Sequence, residues 1–380
     1  MPRQEDKRIV VVDDEPRKAR QTLLDLADDE VVVLHPEELE EKHLQEAALV
    51  LVDHHLEQDQ WPRRSKLPFA CQPQDGRALA AIVQAYLRTN GFRSYGPTAV
   101  ALLSGKLYEV TPDLEAPPPE HLAARACGLD WAFAKSQGPG GNLPARIRSF
   151  AGAVRDLPLD WPKSPDRSRE AVAKLLGISD QDWKEIALLQ ADRCHPPVHE
   201  LAVWTRGMAF IRWLAQLILP YRTFLLDHNH LAIRLGVAPS WLASSLDGKN
   251  GLSRELDRAQ YRGILSELQG PRWWLAGVDA ELWQATDGRS IDRDEVWKWL
   301  GALTSGHPEA LSDQETLVLG ADFRFNGQTA RYSECVRVWP DDWPAFAETP
   351  WTKIAMALSN DRLRAVVLAE DLERLSVNEA

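Results

Sequence analysis

Five short, mostly apolar runs punctuate the first 157 residues: Ile9–Val12, Val31–Leu34, Leu49–Val52, Thr98–Leu103 and Trp131–Ala134. They are apolar throughout rather than alternating, which suits strands buried on both faces. Between them lie helical patterns at Pro16–Leu26, Pro36–Ala48, Gly76–Thr89, Pro119–Cys127 and Pro144–Arg155. Five strands alternating with five helices predict an α/β fold, a doubly wound five-stranded parallel sheet with its functional groups at the carboxyl ends of the strands.

The pattern changes after residue 157. Pro158, Pro162 and Pro165 mark residues 158–166 as a semi-rigid linker, which divides the chain into a domain over 1–157 and a second over 167–380. The second reads as mainly helical: Ser168–Leu176, Asp180–Gln190, Glu200–Leu219, His228–Leu235, Ser240–Leu246, Ser253–Leu268, Asp292–Leu300 and Asp361–Leu375. Val336–Trp339 is its clearest strand candidate.

The predicted strand ends carry the chemistry. Strand one stops at Asp13-Asp14-Glu15 and strand three at Asp53, so carboxylates converge on one edge of the sheet, where like charges repel unless a cation sits among them. An oxygen-only donor set suits a hard ion such as Mg²⁺, which also accepts phosphate oxygens. Strand four ends at Ser104 and strand five at Lys135, a hydroxyl and an ammonium placed as a site for a phosphoryl group needs.

Val12-Asp13-Asp14-Glu15-Pro16, Leu51-Val52-Asp53, Leu103-Ser104-Gly105 and Gly128-Leu129-Asp130-Trp131-Ala132-Phe133-Ala134-Lys135 together resemble the receiver domain of two-component response regulators, a CheY-like, flavodoxin-like fold. The resemblance implies that Asp13 and Asp14 bind Mg²⁺ with the backbone carbonyl of His55, and that Asp53 both ligates it and takes the phosphoryl group from a sensor histidine kinase. By the same resemblance Ser104 hydrogen-bonds the phosphoryl oxygens and Lys135 pairs with them. The chain departs from the receiver pattern at two insertions, about 56–75 and 111–119. It also has Ala132 where receivers place a Tyr or Phe, and Ser136 where they place a Pro. Trp131 should point to the opposite face of the strand from Ala132. His54 and His55 read as solvated or backbone-positioned rather than catalytic.

Composition narrows the output more than the input. The 44 Lys and Arg stand against 56 Asp and Glu, a net charge of −12, and residues 1–157 carry 19 of the basic and 24 of the acidic side chains. Neither half is basic, which disfavours nucleic acid. No apolar run reaches the ~18–20 residues of a membrane span, and the four scattered cysteines (Cys71, Cys127, Cys194, Cys335) indicate reduced thiols and a cytoplasmic protein.

Thirteen of the 15 tryptophans lie between Trp161 and Trp351. They read mainly as core and loop anchors, with a partner-protein surface as the other use. Two segments resemble helix-turn-helix sequences, one through Ala173, Gly177, Trp183 and Ile186, the other through Ala232, Gly236 and Leu242. Their second helices lack the Arg and Lys that phosphate contact demands. Cys194, His195 and His199 could ligate a metal with Cys335, but without a Cys-x-x-Cys pair the Pro196-Pro197 step more simply marks a turn. Asp227-His228-Asn229-His230 is similar to a histidine nuclease motif but opens an apolar helix rather than a β-hairpin.

The expectation is therefore a response-regulator-like signalling protein, a phosphoryl acceptor rather than an enzyme, relaying its state to a helical, partner-binding module. Two alternatives are a DNA-binding transcriptional regulator and a non-phosphorylated receiver fold used for protein interaction.

Overall fold

The computed structural model describes residues 6–56, 73–89, 96–110, 119–135, 141–197, 207–246, 251–288, 293–304 and 306–379. The expected insertions fall mostly outside them. The chain forms two compact units: the first takes residues 1–179, 196–220 and 262–270, and the second takes 180–195, 221–261 and 271–380.

In the first unit, β1 (Arg8–Val12), β2 (Val31–Leu34), β3 (Ala47–Asp53), β4 (Ala99–Ser104) and β5 (Trp131–Ala134) pair in parallel in the order β2-β1-β3-β4-β5. The helices of this unit are α1 (Pro16–Thr22), α2 (Glu41–Gln45), α3 (Gly76–Leu87), α4 (Leu107–Val110), α5 (Glu120–Ala126), α6 (Leu143–Arg155) and α7 (Pro165–Leu175). That strand order is the flavodoxin-like doubly wound arrangement.

Alternate side chains of the sheet serve opposite faces. Val10, Val12, Val50, Val52, Val100, Leu102 and Ala132 pack with Leu79 and Val83 of α3 and with Ala123 and Ala124 of α5. On the other face Trp131 and Phe133 meet Phe150 of α6 at ring separations of 6.2 and 5.9 Å. Trp131 and Ala132 thus lie on opposite faces, and every residue of β3 is buried. Burial on both sides is why these strands are continuous apolar runs.

The segment 158–166 is part of the first unit rather than a free linker. Trp161 is buried and lies 6.1 Å from Phe210, while Ser168 donates its hydroxyl to the Pro162 carbonyl at 2.6 Å. A tryptophan able to bury its ring outweighs the local stiffness of the prolines. The helix at Met208–Trp213 continues as a π-helical turn over Leu214–Ile218. It is tied to β5's approach: Arg212 Nε donates to Asp130 Oδ1 at 2.6 Å, and Gln216 Nε2 donates to the Leu129 and Asp130 carbonyls, both at 2.9 Å.

The second unit is helical with a sheet beside the helices. Its helices include Lys184–Asp192, His228–Leu235, Pro239–Leu246, Leu275–Ala285 and Arg293–Thr304. Four strands, Glu315–Leu319, Phe325–Arg331, Cys335–Arg337 and Trp351–Lys353, form a mixed sheet that extends the single strand foreseen at Val336–Trp339. Phe325–Arg331 (FNGQTAR) is only half-buried, so its sequence is polar and carries no strand-like apolar run. The helix expected over 253–268 ends at Asp257, and residues 262–270 join the first unit. The one expected over 361–375 breaks at Val367, which bridges to Val338.

Among the described residues, seven tryptophans (131, 161, 183, 213, 273, 274 and 343) are buried. Trp297 and Trp343 anchor loops by donating Nε1 to the Gly236 and Glu348 carbonyls, both at 3.0 Å. Trp283 is exposed. Among the described residues no helix is long and apolar enough to cross a membrane.

Candidate functional site at the carboxyl edge of the parallel sheet

The chain leaves β1 toward β2 on one side and β3 toward β4 on the other, so the crevice beyond the carboxyl ends of β1 and β3 is the switch point where such sheets bind ligands. Val12 pairs with Val52, which sets Asp13 and Asp53 side by side at that crevice. Carboxylate oxygens of Asp13, Asp14 and Asp53 all lie within 4.8 Å of one another. Asp13 and Asp53 are buried and Asp14 is half-buried.

Each acid is held differently. Asp13 Oδ1 accepts the Glu15 N–H at 2.8 Å, which fixes the turn into α1. Lys135 Nζ forms an ion pair with Asp53 Oδ1 at 2.8 Å. Burial pushes both Asp13 and Asp53 above the usual carboxylate range. Neighbouring carboxylates push further in the same direction, against the opposing pull of Lys135. A divalent cation among three oxygen donors would relieve that repulsion, and the donor set, all carboxylate oxygen, fits a hard ion of the Mg²⁺ kind.

Ser104 is fully buried at the end of β4, opposite Ala134 in the β4–β5 register. Its Oγ accepts the Lys106 N–H at 3.0 Å, and its carbonyl accepts the Lys135 N–H at 2.8 Å. The hydroxyl and the ammonium are therefore joined through backbone at the mouth of the site. Among the described residues no hydrogen bond joins Ser104 to Asp53. At position 132, where a receiver's ring would rotate, the alanine methyl is packed in the core.

Gly76 is a requirement that the sequence pattern conceals. Its N–H donates to the His54 carbonyl at 3.0 Å, and a Cβ there would lie 1.7 Å from the Asp53 carbonyl oxygen. Only glycine lets α3 begin directly against β3, and Asp75 caps that start by accepting the Ala78 N–H at 2.7 Å.

A second cluster lies one residue on from Asp53. His54, His55 and Glu109 bring one donor atom each within 4.8 Å of one another, with His55 Nε2 at 3.0 Å from Glu109 Oε2. His54, expected to be solvated or backbone-positioned, is buried: its N–H donates to the Leu103 carbonyl at 2.9 Å, and burial pushes its imidazole down. Behind β5, Glu120 accepts the Ala134 N–H at 2.8 Å and pairs with Arg146, whose Nε donates to the Leu268 carbonyl at 2.8 Å.

The remaining candidates are structural in what they touch. Cys194 is buried, which pushes its thiol up to about 12, and it joins no metal-type cluster among the described residues. His199 lies outside the described residues, and Cys335 is buried with Val318 and Ala330. Asp227 caps the helix His228–Leu235, accepting the His230 N–H at 2.9 Å and meeting His230 Nδ1 at 2.8 Å. In the segment resembling a helix-turn-helix around Gly236, the exposed residues of the second helix are Ser240, Ala243 and Ser244, which offer phosphates no cation.

No protein-family model matches the chain, and no curated protein matches it. Among solved structures, one described as "Crystal Structure of Response Regulator ChrA in Heme-Sensing Two Component System" is similar over 69 % of this chain and 94 % of that one, at 14 % identity and a TM-score of 0.23.

Proposed function

We propose that residues 1–157 act as a response-regulator-like receiver in which Asp53 accepts a phosphoryl group from a sensor histidine kinase. The observation that carries the reading is the set at the switch point: two buried carboxylates with raised pKa values, a third beside them, and Lys135 on Asp53. Asp13, Asp14, Asp53 and the His55 carbonyl would hold Mg²⁺, which supplies charge neutralisation for the transferring phosphoryl group when bound.

An Asp53 oxygen attacks the donor phosphorus. A new O–P bond forms as the bond to the leaving group breaks, and the electron pair departs with that group. The β1–β3 register fixes where the nucleophile stands, and burial keeps water from competing for the acyl phosphate. The product replaces a singly charged carboxylate with an acyl phosphate that carries ~1.5–2 negative charges on its phosphoryl oxygens, which draws Lys135 and the Ser104 hydroxyl toward Asp53 and shifts the loops after β4 and β5. The chain is then a phosphoryl acceptor rather than an enzyme, acting in a cytoplasm, and its Trp-rich second unit would bind a partner protein.

Ala132 favours one further reading, a receiver fold that serves as an interaction module without phosphorylation, since no ring is present there to report the modification. Incubation with a small phosphodonor and Mg²⁺, followed by intact-mass measurement, separates the two. The receiver reading expects the mass of one phosphoryl group on the wild type and none on Asp53→Ala. No added mass, or equal mass on the variant, leaves the interaction module.

A further inference from the structure

We infer that His54, His55 and Glu109 form a second metal site, distinct in donor chemistry from the carboxylate cluster and suited to a borderline transition cation such as Zn²⁺. Two imidazoles and one carboxylate are the donor types such cations take, whereas Mg²⁺ prefers oxygen alone.

The three donors come from two elements that the sheet brings together. His54 and His55 follow β3, and Glu109 stands on α4 after β4. His54 is pinned through both main-chain groups: its N–H to the Leu103 carbonyl at 2.9 Å and its carbonyl to the Gly76 N–H at 3.0 Å. Its side chain is buried, and Nδ1 has no hydrogen-bond partner among the described residues, an uncommon state for a buried polar atom. Glu109 divides its carboxylate: Oε1 accepts from Lys106 Nζ at 2.9 Å, leaving Oε2 toward His55 Nε2 at 3.0 Å.

The spacing suits a metal. Tetrahedral bonds of about 2.0–2.1 Å put donor atoms about 3.3 Å apart, and here one pair stands at 3.0 Å and all three fall within 4.8 Å. His55 and Glu109 reach solvent, with side chains 48 % and 31 % exposed, so a cation can enter. Three protein donors leave a coordination position for water or a further ligand.

A cation here would clip the loop after β3 to α4. If the proposed function holds, α4 lies in the segment after β4 that the phosphoryl switch displaces, and the metal would oppose that displacement. The binding itself does not depend on phosphorylation.

The test is a Zn²⁺ titration of the full chain against a chromophoric chelator, with Mg²⁺ in excess so that the carboxylate cluster is occupied by the hard ion. Wild type and Asp13→Asn are expected to hold Zn²⁺ alike. His55→Ala and Glu109→Gln are expected to weaken it by roughly a hundredfold, given that even groups outside the coordination shell are worth 10–100-fold. Both substitutions are at accessible side chains, and unchanged thermal unfolding of the metal-free variants confirms that they fold. Absence of Zn²⁺ uptake, retention of wild-type affinity in either variant, or loss of binding in Asp13→Asn would overturn the inference.

Discussion

At the carboxyl edge of the parallel sheet, Asp13 and Asp53 are buried beside other carboxylates and sit above the usual carboxylate range. In the second unit, Asp371 is buried against Arg337, accepting its backbone N–H at 2.7 Å and its Nε at 3.0 Å, and the guanidinium holds it below that range. Asp227 follows Asp371: burial alone would raise it, but His230 and Arg272 pull it down. The sheet edge keeps Asp13 and Asp53 under-compensated, whereas in the second unit Asp371 and Asp227 are each compensated by a basic partner. Functional sites concentrate groups of the first kind, whereas structural ion pairs produce the second.

The largest expected effect is at Gly76. Gly76→Ala should destabilise the first unit by about 3 kcal/mol, because the new methyl meets backbone rather than a flexible side chain. Phosphoryl uptake should fall with it. Gly105→Ala, in the same loop system but with nothing within 4 Å of its Cβ position, should stay within ~0.5 kcal/mol. Chemical denaturation of both variants reads the contrast directly.

Asp371→Asn should cost about 1–2 kcal/mol, the value of charged hydrogen bonds discounted because Arg337 is partly exposed and screened by water. Asp13→Asn should do the reverse and raise the unfolding midpoint modestly: Asn retains an acceptor for the Glu15 N–H while the repulsion disappears. Equal signs for the two substitutions would remove the distinction between the regions.

Their pH dependences should also oppose. Asp13 and Asp53 are raised on folding, so the folded chain binds more protons, and their contribution to stability falls as pH rises from the ordinary 3.8 through the raised values. Asp371 is lowered, so its contribution is full above 3.8 and is lost as pH falls through the lowered value. Midpoints measured across acidic pH in Asp13→Asn and Asp371→Asn should therefore diverge from wild type with opposite slopes.

The parallel sheet was legible because burial on both faces leaves an uninterrupted apolar run, and its ends carried Asp13, Asp53, Ser104 and Lys135 to one edge. Gly76 was not legible as a site residue, since its requirement comes from the Asp53 carbonyl, a backbone atom with no sequence signature. His54, His55 and Glu109 are separated by the length of α3 and meet only when β3 and β4 pair. In the second unit, Phe325–Arg331 is half-exposed and short of apolar residues, so its pattern matched a loop. The 158–166 segment misled for a related reason: prolines advertise local stiffness, whereas the burial of Trp161 depends on Phe210, about fifty residues away.

The central claim is that the acids at the sheet edge are held under-compensated for a cation, and thermal unfolding with and without Mg²⁺ tests it most directly. With Mg²⁺ at about 100 times its Kd, wild type should gain roughly 2.7 kcal/mol and Asp13→Asn far less. No gain in the wild type, or an equal gain in the variant, would contradict the account.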